Sequence, residues 1–330
     1  MNLKIGLRIS IICWLCLVIG CTSGDSIPTY LVETSGLQPR LLEPIDSMQL
    51  PASFTPSGLA IDARGRLYLG DRFSRSIYRW DSSGVLIDTI GGPGEGPGEF
   101  SGGPHSLAVY RDSLLAAIDY QTGRLLIFQL DPAPRFLRTF TFPSALLQVT
   151  WRSARHLLVS AVPMPGESGV FSITFSGKDV RRHHVSLPPA TNPIYGMRKV
   201  VACNDRAVVA DPFTNRVTVL DAQGRPRWQL VFADLPAQAP GKETTEDPLY
   251  GTITLPDAAL IASVALQDSS LYVLVGWPPP LARRQVWHLQ LNGQVIERLE
   301  LPVAAKGIKI YNNRLYALSA DSLRLYLYAL

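Results

Sequence analysis

The sequence predicts an all-β fold: six four-stranded antiparallel sheets around one axis, the ring closed by a strand from the N-terminus. Three observations predict it. Residues 56–103 (PSGLAIDARGRLYLGDRFSRSIYRWDSSGVLIDTIGGPGEGPGEFSGG) contain four short apolar runs separated by turn sequences. The pattern recurs at intervals of roughly 40 to 65 residues, near the period of propeller blades. The final unit, KGIKIYNNRLYALSADSLRLYLYAL, has first, second and third strands but no fourth.

The N-terminus reads as an export signal. MNLKIGLR is a short positive start, and ISIICWLCLVIG adds about a dozen apolar residues, too few to span a bilayer. This run ends in Val18, Ile19 and Gly20, Cys21 follows in register, and the four resemble the bacterial lipoprotein box. That resemblance implies a signal peptide over 1–20, an acylated Cys21 and a short tether over 21–28. It also implies membrane attachment through the lipid, at the cell envelope. Thr22, standing where an Asp would suggest inner-membrane retention, points to the outer membrane. Cys13 and Cys16 form a C-x-x-C, but inside the segment to be removed. Cys203 is then the one internal cysteine, so no structural disulfide forms and the fold rests on packing.

Composition bounds the rest. The chain has 330 residues, 46% hydrophobic and 18% charged, which is globular. The net charge of +4 includes Lys4 and Arg8, so the mature chain is near neutral. No basic stripe appears, which argues against a nucleic-acid partner.

Residues 29–330 form a single domain. The runs at 59–61, 67–69, 77–80 and 85–90 are strands of an up-and-down sheet, with DARG, GDRFSR and DSSG as hairpin turns. Later units repeat an acidic residue at the end of the second strand and an Arg about five positions on. Asp119 with Arg124 and Asp211 with Arg216 are copies, and Ser319 with Arg324 is a weaker one. Third strands end in polar turns: IYRWD, LIFQLD, VTVLD, HLQLN. Units beginning at Leu146 and Ile261 fill the gaps and bring the count to six. The strand missing from the last unit must come from elsewhere. Residues 35–45 (SGLQPRLLEPI) resemble outer-strand segments such as QGRPRWQLVF, and their insertion there would leave no open sheet edge. The expected fold is thus a six-bladed β-propeller.

The positions Pro56, Gly58, Ala60, Asp62, Gly65, Tyr68 and Asp71, with the linker Gly94, Gly96, Gly98, Glu99, Phe100 and Pro104, resemble the NHL-repeat family of propellers. The likeness is good over two units, partial in the fourth and sixth, and poor in the third and fifth. The whole chain resembles the six-bladed propeller lipoproteins of bacteria. That family shares no single activity, so the resemblance implies architecture and address alone.

One face should carry function. Loops joining strands one to two and three to four are short, whereas every long loop joins strands two to three or blade to blade. Long irregular loops on one side of a rigid scaffold usually hold the working site. On that face the first residues of the inner strands, Ser57, His105, Gln148, Arg198 and Lys306, should line the mouth of the axial channel. Tyr120, Tyr195, Tyr250 and Trp277 sit on neighbouring loops. A basic mouth rimmed by aromatics suits an anionic or sugar-like ligand; alternatively the same side chains plug the channel.

Other constellations reduce to structure. The GEGPGEF linker lacks the G-K-[ST] of a phosphate loop and is followed by a strand. Its glycines suit tight turns, with Phe100 packed between blades. His183 and His184, adjacent on a strand, point to opposite faces and do not share an ion easily. Asp71, Asp119 and Asp211 are assigned to turns. Calcium-dependent propeller lactonases and lyases carry a Glu/Asn/Asp ring that the mouth residues here do not reproduce. No cofactor, metal site or catalytic residue is expected. The leading expectation is a lipid-anchored binding module for a glycan, a peptide or an envelope protein. The alternative is a lactonase-like lyase or hydrolase at the channel mouth.

Overall fold

The structure, a computed structural model, describes residues 27–330 except 121, 177–178, 190–191, 249 and 279–281. Cys21 and the signal segment lie outside the described residues. The described residues form strands and no helix, arranged as six four-stranded blades.

Blade 1 runs from Pro56–Ile61 at the axis through Leu67–Asp71 and Ser76–Trp80 to Leu86–Ile90 at the rim. Blades 2 to 5 repeat this order. Their inner strands are Pro104–Tyr110, Leu146–Ser153, Lys199–Cys203 and Ile261–Gln267, and their outer strands are Arg135–Thr141, Asp179–His184, Pro226–Phe232 and Val295–Glu300. Inner strands of successive blades touch, and that of blade 6, Ala305–Tyr311, meets that of blade 1.

The D-x-x-G sequences explain the outer turns. Asp62, Asp81 and Asp221 each accept backbone N–H bonds from residues two and four ahead. Gly65, Gly84 and Gly224 supply the positive φ that such turns require. Second strands such as Leu67–Asp71 are buried throughout because a blade covers each face. They therefore read as continuous apolar runs. Six apolar clusters result, one at each seam between neighbouring blades. Phe100, fully buried, fills the seam of blades 1 and 2 against Phe128. A Cβ on Gly91 would come within 2.5 Å of its ring.

A second set of links binds the inner strands sideways. Polar side chains on one inner strand bond the backbone of the next. The Ser57 hydroxyl donates to Pro104 O, and Ser106 Oγ accepts from Val149 N. Gln148 Oε1 and Thr150 Oγ1 accept from Val200 N and Ala202 N. Cys203 Sγ accepts from Asp268 N, and Ser263 Oγ from Ile308 N. Lys306 Nζ donates to Pro56 O and completes the circle. Inner strands leave backbone groups unpaired along the axis, and this belt satisfies part of them.

The N-terminus closes the ring, but in a different register from that expected. Of residues 35–45 only Pro44 and Ile45 reach the last blade, at the start of its fourth strand. β1 (Thr29–Val32) pairs parallel with the outer strand of blade 4, and β2 (Pro39–Leu41) pairs parallel with that of blade 5. β3 (Pro44–Gln49) then pairs antiparallel with Arg324–Ala329 as the fourth strand of blade 6. The likeness of 35–45 to an outer strand is real in kind, because β2 lies at an outer edge. It is there as a fifth strand, with Leu42 buried in the seam between blades 5 and 6. Thr34 fastens this strap through its N–H and hydroxyl to Asp234.

Candidate functional site

A β-bulge opens the inner strand of five blades. The register shifts between Pro56 and Gly58, Pro104 and Leu107, Leu146 and Gln148, Ile261 and Ser263, and Ala305 and Gly307. A bulge re-aims side chains. The residues skipped by the ladder are Ser57, His105 with Ser106, Leu147, Ala262 and Lys306. All line one axial cavity of about 450 Å³ on the face bearing the long loops.

The lining is basic. Lys199, Arg283, Lys306 and Lys309 contribute to it, and no Asp or Glu occurs among its described residues. Burial pushes the Lys199 ammonium down to about 8, helped by Arg283 and Lys309. Burial lowers Lys309 as well, and lowers Lys306 together with Arg72 and Arg283. His105 falls to about 4, first through burial and then through Arg72, Lys199 and Lys306, so its ring is neutral at pH 7. Its Nδ1 is buried without a partner. The Arg72 guanidinium lies 3.7 Å from the centroid of the Tyr120 ring, which in turn packs on His105 at 5.1 Å. Such a stack holds a cation beside the mouth.

The expected residues therefore divide. His105, Gln148 and Lys306 line the cavity, and Tyr120 supports His105 from behind. Gln148 has its carbonyl oxygen committed to Val200 N. Arg198 belongs to the lining as well. Its guanidinium is spent elsewhere: Nε binds Asp211 Oδ1 at 2.8 Å, Nη1 the Ser168 carbonyl and Nη2 the Pro188 carbonyl. It clamps the blade 3–4 linker to blade 4 and has no donor nitrogen without a partner. Asp211 thus takes its ion pair from Arg198, whereas Asp119 pairs with Arg124 as the repeat suggests. Asp71 and Asp119 also hold the linkers entering their blades, by accepting from Thr55 N and from the N–H groups of 101–103. Trp277 and Tyr195 pack on the core between blades 4 and 5, and the Tyr195 hydroxyl donates to Ala239 O. Tyr250 reaches Pro163 O from the tip of the hairpin formed by Gly241–Asp247 and Gly251–Pro256. These three aromatics brace loops and do not line the channel.

Lys199, Lys309, Arg283 and Arg72 escaped the sequence reading. Their common signal is a basic residue within three positions of a marked inner-strand position, or in the loop that follows a second strand.

The chain matches no protein-family model and no curated protein. Among solved structures it is similar to a protein of unknown function from Bacteroides thetaiotaomicron, at TM-score 0.58 and 13% identity, covering 87% of this chain and 73% of that one. It is similar to a chain of the mitotic checkpoint complex at 0.57 and 11%, over 100% and 99%. It is also similar to BamB from Moraxella catarrhalis at 0.52 and 14%, over 88% and 100%. Identities this low show the fold alone. The chain is a six-bladed β-propeller.

Proposed function

We propose that this chain is a lipid-anchored binding module of the cell envelope that engages its ligand through the face bearing the long loops. The observation that carries the reading is the axial cavity, open on that face and lined by bases, with no carboxylate among its described residues. The rim is braced for it, since the loops are tied to one another by Tyr250 to Pro163 and Asn192 to Thr254. Anchoring rests on Cys21 and its flanking sequence. The strap supports a rim-side attachment: Pro28 already accepts from Gln229 N on the outer strand of blade 4, away from the channel. One solved likeness is a chain of the mitotic checkpoint complex, a protein assembly, which is in keeping with a protein partner. The lactonase-like alternative lacks support, because the described lining offers no carboxylate for a calcium ion.

Site-specific photocrosslinking in cells tests this. Crosslinkers replace exposed Phe73 or Met164 on the long-loop face, and Ser83 or Gln223 on the other. Adducts from the first pair alone are expected. Adducts from the second pair alone would overturn the proposal. In parallel, Cys21→Ala should release the chain from the membrane fraction.

A further inference from the structure

Among the described residues the channel is lined by bases and by no carboxylate. Lys199 from blade 4, Arg283 from a blade 5 loop, and Lys306 and Lys309 from blade 6 border one cavity with His105 of blade 2. The Lys199 and Lys309 ammoniums and the Arg283 guanidinium have no hydrogen-bond or ion-pair partner among the described residues. Lys306 has only the neutral carbonyl of Pro56. Like charges from blades 4, 5 and 6 thus border one cavity, and no carboxylate occurs among its described lining residues.

A plug would be built otherwise. Side chains that fill a small propeller's axis bury apolar surface or pair their charges. A desolvated ammonium without a counter-charge costs free energy, and like charges nearby add to the cost. Both costs are relieved when an anion enters. The cavity of about 450 Å³ is within the range of small-molecule sites. Its charge demands an anion bearing more than one negative group. His105, neutral and with a buried unpartnered Nδ1, adds a polar contact without a further charge.

We propose that the axial channel binds a small anion carrying two or more negative charges, a phosphate ester or a polycarboxylate, held by Lys199, Lys309, Arg283 and Lys306 with His105 alongside. Arg283 brings the planar fork suited to either group. This inference rests on the long-loop face being the working side.

Titration calorimetry on the full-length chain in detergent tests it, with pyrophosphate, citrate and neutral trehalose as probes. Pyrophosphate or citrate should bind, with the stronger of the two naming the chemistry, and trehalose should not. The double substitution Lys199→Gln/Lys309→Gln should weaken anion binding about tenfold or more. Lys242→Gln on the exposed hairpin should leave it unchanged. Should the double variant fold poorly, Arg283→Gln alone should weaken binding, and added salt should weaken binding to the unaltered chain. The inference is overturned if neither anion binds, if binding survives both sets of substitutions, or if trehalose binds equally well. Absence of anion binding alongside crosslinks confined to the long-loop face would remove this inference and leave the face assignment standing.

Discussion

Lys306 Nζ donates to the carbonyl oxygen of Pro56 at 2.9 Å, joining the inner strand of the last blade to that of the first across 250 positions of sequence. The bond sits at the axis, on the wall of the channel and three strands in from the β3 closure, so one side chain serves both ring and site. Lys306→Met should cost only about 1 kcal/mol, the net worth of one hydrogen bond to a neutral carbonyl. Thermal denaturation checks it; a cost several times larger would make Lys306 a keystone of the ring.

Arg198 should behave in the opposite way. Its removal strands Asp211 and two carbonyls in a site where Arg198 is 8% exposed. Arg198→Ala is expected to cost about 3–5 kcal/mol and to leave anion affinity per folded molecule nearly unchanged. Denaturant titration combined with calorimetry separates the two effects.

The register of closure predicts a crosslink. Ser47 lies opposite Tyr326 in the β3 pairing. The double variant Ser47→Cys/Tyr326→Cys should form a disulfide on oxidation and stabilise the chain by up to a few kcal/mol. No crosslink under oxidising conditions would place β3 in another register.

Phe100→Ala should open a cavity at the seam of blades 1 and 2 and cost about 3–5 kcal/mol. Unfolding monitored by near-ultraviolet circular dichroism should show the loss.

Lys199 gives a pH dependence of known sign. It is faced by Arg283 and Lys309, with His105 and Lys306 on the same cavity. Its folded value near 8 lies below the unfolded 10.5. Between these values the unfolded chain binds more protons, so this group makes stability rise as pH increases from about 8 to 10.5. Anion affinity should fall over the same window as the ammonium is lost. Lys199→Gln should remove its share of both trends, measured by stability and binding at several pH values.

Much of the fold was legible in the sequence because the repeat marks turns. Asp62, Asp81 and Asp221 with their glycines announce hairpins, and the unfinished last unit announces closure. The direction of the strap was not legible. A parallel and an antiparallel edge strand have the same alternation, so 35–45 could be recognised as an edge but not oriented. At the site, His105, Gln148 and Lys306 follow from their place at the start of each unit. Lys309 lies three residues past the bulge at Lys306, and Arg283 and Arg72 stand in loops whose paths no repeat specifies. The Arg198–Asp211 pair was not legible, because Asp211 also fits the Asp-to-Arg spacing with Arg216.

The central claim is that ligand enters the axial channel from the long-loop face. Hydrogen–deuterium exchange of the chain with and without saturating pyrophosphate tests it directly. The account predicts protection in peptides covering 56–59, 105–107, 197–199 and 306–309. Protection confined to the opposite-face turns at 62–66, 81–85 and 221–225, or to the outer strands, would contradict it.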